Sequence, residues 1–174
     1  YYMIDAAGSG NNGIIQEREP QNMVTFFENK LIMAEAAGRS GGVASGLTHL
    51  NEMREWLNNG GNLNSYFIGE TFKYSPFEVS DFDAGGIENL DNISADEAFL
   101  REVIEERYVS GFGMHIPYND ARRLRKSDNA IAVPFVMVDA DNSRRAERMP
   151  YAQNELNSNS NAPDEDPGIF AKTS

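Results

Sequence analysis

The stretch ENKLIMAEAAGRSGGVASGLTHLNEMR, Glu28 to Arg54, decides how the chain is built. Phe27, Leu31 and Ala34 recur at helical spacing, with Phe26, Met33 and Ala37 on an adjoining stripe. Thr25 and Glu28 have the spacing of a capping box at the start of this helix. The glycine-rich Gly38–Gly42 is expected to stop it. A second helix then carries Val43, Leu47, Leu50, Met53 and Leu57 on one face, until Asn58-Asn59-Gly60-Gly61 ends it. Residues 22–57 are therefore predicted to be an αα-hairpin of tetratricopeptide-like type, with small residues on the first helix that allow close approach. Such a unit needs neighbours to cover its faces, and only one copy is visible, so its partners are expected upstream.

Working outward, residues 62–93 show no sustained period but hold Tyr66, Phe67, Phe72, Tyr74, Phe77 and Phe82 among Gly, Ser, Asn and Asp. An irregular segment of this length in a compact domain is usually functional. Residues 94–126 are expected to form a helix and an arginine-rich turn. Ser94 and Glu97 make a capping box, while Phe99, Leu100, Val103, Ile104 and Tyr108 form an apolar stripe. Glu97 to Arg101 has the favourable i,i+4 order. Pro117 starts a short helix through Arg123, and Ala130–Val138 reads as extended. The basic run Arg122-Arg123-Leu124-Arg125-Lys126 is expected to neutralise acidic groups such as those of the preceding helix. Residues 148–174 keep Met149, Tyr151, Leu156, Ile169 and Phe170 at intervals, which predicts an ordered terminal segment. Arg148 and Glu155 are its expected polar ties, and Tyr151 and Phe170 its buried rings.

Composition narrows the function. The 174 residues carry 27 acidic and 15 basic side chains, a net charge of −12, which disfavours nucleic acid as a partner. There is no cysteine, hence no thiol chemistry. The chain opens on Tyr1-Tyr2-Met3, so either a leader has been removed or the chain starts mid-protein. Gly8-x-Gly10-x-x-Gly13 matches a dinucleotide fingerprint in letters only: Pro20 ends the short stretch that follows, and no acidic residue sits on a second strand. His49 and Glu52 have the spacing of a carboxylate metal site but lack a second pair. Asp81-x-Asp83 and Asp139-x-Asp141 open like calcium loops without the glycine and glutamate that complete one. No serine lies in a nucleophile elbow. Neither an enzyme nor a cofactor or metal site is expected.

Three segments together resemble the SusD/RagB family of nutrient-binding lipoproteins: the stretch quoted above, LREVIEERYVSGFGMHIPYNDARRLRKSD from Leu100 to Asp128, and RMPYAQNELNSNSN from Arg148 to Asn161. They follow the family's order over most of the chain. The resemblance implies a mainly α-helical, SusD-like fold, of which residues 1–174 would be the C-terminal part, lacking its N-terminal part. It further implies a lipid-anchored outer-membrane protein facing the exterior. Such a protein captures glycans or peptides for a SusC-like TonB-dependent transporter. The residue chemistry is compatible, because sugar rings stack on aromatics and their hydroxyls bond to amides and carboxylates. Tyr66, Phe72, Tyr74 and Phe77, with Asn62, Asn64 and Asp81 nearby, are the candidate ligand contacts; the alternative is that these aromatics pack the loop onto the helices. A tetratricopeptide-like protein-interaction adaptor is the rival function.

Overall fold

The structure, a computed structural model, describes residues 23–61, 73–124, 128, 130–133, 150–162 and 168. Among these the protein is mainly α, without strands. Its elements are α1 (Phe26–Gly41), α2 (Val43–Asn58), a 3-10 turn (Val79–Phe82), α3 (Ala95–Ser110), α4 (Ile116–Leu124) and α5 (Gln153–Ser158). Asn62, Asn64, Tyr66, Phe72, Arg125, Lys126, Arg148, Phe170, the Gly8–Gly13 run and the Asp139–Asp141 pair lie outside the described residues.

The hairpin forms where the periodicity puts it. Thr25 accepts the Glu28 N–H at 3.2 Å and caps α1. The turn is shorter than the glycine run implies. Gly38 remains helical, and only Gly42, at φ 73°, leaves the helix, its N–H closing on Gly38 O at 2.9 Å. One residue after α1 ends, α2 begins, and its exposed N-terminus is capped from outside the hairpin by Asp96 Oδ1, which accepts the Val43 N–H at 3.2 Å. A carboxylate in the first turn of α3 thus completes α2.

Gly38 and Gly46 serve packing. They bring α1 and α2 against α3, with the Phe99 ring pressed into the space both leave. A Cβ at Gly46 would stand 2.5 Å from two Phe99 ring carbons and 2.7 Å from Ala34 O, a backbone atom. Alanine has the better helix propensity by about 1 kcal/mol, but overpacking costs about 1–3 kcal/mol. Gly46→Ala is therefore expected to lower stability by about 1 kcal/mol or more in urea titration, and a Phe99→Leu partner change should recover part of that loss.

Around Phe99 the core gathers Phe27, Leu31, Ala34, Leu50, Met53, Phe82, Val103 and Ile104, all essentially inaccessible. The Ser94/Glu97 capping box opens α3 as expected, with both of its halves formed. Because Glu97 is used there, Arg101 turns instead to Asp91, at 2.7 and 2.9 Å, and to Glu88 O. Residues 130–132 form a turn and bend, with Ile131 N–H on Asp128 O at 3.0 Å and the Ile131 side chain buried. The extended reading of 130–138 therefore fails at these three residues. A local backbone hydrogen bond wins over the apolar run.

Candidate functional site

Three polar residues spaced along one face of α2, Asn51, Arg54 and Asn58, hold an extended strap, Lys73–Glu78, against the helix. Asn58 grips Tyr74 by both backbone groups: Tyr74 N–H donates to Oδ1 at 2.8 Å, and Nδ2 donates to Tyr74 O at 2.7 Å. Asn51 does the same to Phe77, at 2.8 and 2.9 Å. Between them Arg54 Nε donates to Ser75 O at 3.0 Å, and its guanidinium lies 3.8 Å from the Phe77 ring centroid and 4.9 Å from that of Tyr74. Lys73 Nζ adds a bond to Asn58 O. A carboxamide presents one donor and one acceptor side by side, which matches the N–H and C=O of one extended residue.

Behind Arg54 lies an acidic wall. Its Nη1 is 3.1 Å from Glu106 Oε1 and 3.9 Å from Glu102 Oε1, both on α3 and largely buried. Glu102 continues into a groove of about 320 Å³ lined by Ile87, Glu88, Leu90, Asp91, Arg101 and Glu105. Burial, reinforced by the charges of Glu88, Glu106 and Glu105, pushes the Glu102 carboxyl up to about 8, with Arg54 opposing. Glu105 and Glu106 are also raised, chiefly by burial.

The raised Glu102 carboxyl makes stability depend on pH. Folding raises its pKa, so the stabilisation of the protonated form is complete below the ordinary carboxylate range, near 4.5, and is lost as pH rises through about 8. Glu102→Gln, neutral at every pH, should flatten the decline in stability between pH 5 and 9 and exceed the parent at pH 9. The gain is on the order of 2 kcal/mol, because the remaining carboxylates still repel one another. Urea midpoints measured across that range check it; an unchanged slope would show that Glu102 is ionised throughout.

Of the residues singled out in the sequence, Tyr74, Phe77 and Asp81 fall on the strap and the turn after it. Tyr74 is 45% exposed, and Phe77 is half-buried against Phe82. Asp81 closes the turn, its Oδ2 accepting the Glu78 N–H at 2.8 Å. His49 pairs with Glu52 at 3.3 Å, and Glu52 also takes Lys30 at 2.7 Å. Among the described residues no group of three His, Cys, Asp or Glu is placed to hold a metal ion. Tyr151 is half-buried, and exposed Glu155 accepts from Asn159 within α5 and its flank.

A second constellation ties the frame together. Arg123 forks onto Glu35 of α1 at 2.7 and 2.6 Å and reaches Asp120 of its own helix at 2.8 Å. Asp120 takes Arg107 of α3 through two bonds, at 2.7 and 3.2 Å. Arg39 joins Glu35 at 2.9 Å and Asp128 at 3.3 Å. Burial would raise Glu35, but Arg123 and Arg39 outweigh it and hold the carboxyl below its ordinary range. Arg123 is thus neutralised as expected, though by α1 and by its own helix; α3 contributes an arginine to this network. Arg122 instead lies 5.7 Å over the Tyr118 ring. No family model matches the chain, and neither a curated protein nor a solved structure does.

Proposed function

We propose that the chain is the C-terminal part of a cell-surface nutrient binder of the SusD/RagB type, which captures an oligosaccharide or peptide for a SusC-like TonB-dependent transporter without altering it. The observation that supports this reading is where the charged residues of the resembling segments go. Glu35 of the Ala-Glu-Ala step, Arg107 of the Glu-Arg pair, and Asp120 and Arg123 of the Asp-x-Arg-Arg step meet in one ionic cluster. Motif residues 88 positions apart therefore share one framework role. Outer-membrane anchoring belongs to the same proposal.

The ligand surface assigned to this part of the chain is the exposed Tyr74 ring and its surroundings. Stacking on one ring contributes about 1 kcal/mol, so Tyr74→Ala should weaken binding several-fold without abolishing it. Calorimetry against a panel of oligosaccharides and peptides, followed by chromatography of the ligand, tests both halves of the reading. Cleaved product would overturn the binder assignment, and unchanged affinity in a Tyr66/Tyr74 double alanine variant would move the ligand site out of this part of the protein. The competing adaptor reading draws on the extended segment already seated on α2, and predicts a protein partner with no affinity for the glycans of the panel.

A further inference from the structure

We infer that the Asn51–Arg54–Asn58 face of α2 is a binding site for an extended peptide, filled in this chain by its own Lys73–Glu78 strap. The inference does not rest on nutrient capture, and a glycan panel without binding would leave it standing.

The geometry is that of a ladder with matched rungs. Asn51 and Asn58 are seven residues apart on a helix, about 10.5 Å along its axis. Tyr74 and Phe77, which they grip, are three residues apart in extended chain, about 10 Å. The strap runs antiparallel to α2, with Tyr74 on Asn58 and Phe77 on Asn51. Between the rungs, Pro76 has no N–H to leave unpaired and favours extended backbone, while Ser75 O takes Arg54 Nε. Four of these bonds pair a carboxamide with the backbone N–H and C=O of a single residue, and a fifth joins Arg54 to a carbonyl. None of the five reads a strap side chain. The side-chain requirement is confined to two rings, at positions i and i+3, flanking the Arg54 guanidinium. Glu106 holds that guanidinium from behind at 3.1 Å, so the strap is not its only anchor. Apart from Phe77 the strap is exposed, which keeps its opening local. The ligand class is therefore a peptide that places aromatic residues three apart and keeps both of their amides free.

Fluorescence anisotropy of a labelled Lys-Tyr-Ser-Pro-Phe-Glu peptide, with blocked ends, tests this on the full chain. In the parent the tethered strap competes at an effective concentration on the order of millimolar, so the free peptide should bind weakly. Tyr74→Pro removes the N–H that Asn58 accepts without entering the core, and should bind the peptide at least about tenfold more tightly. Ser75→Gly combined with Pro76→Gly opens the strap by a second route and should act in the same direction. In either background Asn51→Ala or Asn58→Ala, and in the peptide N-methylation of the tyrosine and phenylalanine amides, should abolish the gain. Equal affinity for parent and opened variants, no binding to either, or undiminished binding of the N-methylated peptide would overturn the inference.

Discussion

Asp120→Ala is expected to cost about 3–5 kcal/mol, the range for breaking a buried ion pair from one side. Asp120 and Arg107 are 4% and 7% exposed, and among the described residues Asp120 is the only partner of the Arg107 guanidinium, whose Nη1 is left unpaired. Removing the carboxylate leaves a buried guanidinium with no counter-charge and takes away one of the two anions that hold Arg123. Asp120→Asn should recover some of the loss by restoring hydrogen bonds but not charge. An Arg107→Met, Asp120→Leu double variant should cost much less than the two single changes added together, since it removes both charges at once. Urea titration of the set checks this, and additive costs would show that the pair is solvated and weak.

The same cluster marks the limit of what could be read from the sequence. The hairpin and α3 were legible because their periodicity, caps and terminating glycines are local, and local signals agree with the tertiary result. Gly38 was misread because a glycine that ends a helix and a glycine that admits a neighbouring ring look alike until Phe99, 61 residues away, is placed against it. Arg123 was recognised as neutralised, but its pairing with Glu35 depends on how α4 docks on α1, which no spacing encodes. From the sequence, Asn51 and Arg54 receive no role and Asn58 enters only as part of the Asn-Asn-Gly-Gly helix end. The signal that could have found them is two asparagines two helical turns apart, with an arginine between them, on the face adjoining Leu50, Met53 and Leu57. In the aromatic segment the packing alternative holds for two of the rings. Phe77 and Phe82 pack inward, while Tyr74 stays at the surface.

That division fixes the second large effect, at Phe82. Its ring is inaccessible and stands between Phe77, at 5.3 Å and 62°, and Phe99, at 5.3 Å and 81°. Both contacts are edge-on arrangements, favourable beyond the area they bury. Asn89, also buried, locks the loop behind it by donating to Phe82 O and Ile93 O and accepting from Ile93 N–H. Phe82→Ala should therefore cost about 3–5 kcal/mol, as large-to-small changes in cores do. Its pattern should differ from that of Asp120→Ala. The hairpin and α3 keep their own caps and their mutual contacts through Phe99, so far-ultraviolet circular dichroism should change little. The amides of Tyr74 and Phe77 should lose hydrogen-exchange protection first, because the ring that seats the strap's one inward-facing side chain is gone. Phe82→Leu, which refills most of the volume, should restore more than half of the stability and that protection together. Protection that survives in Phe82→Ala would mean that the α2 ladder holds the strap without help from the core.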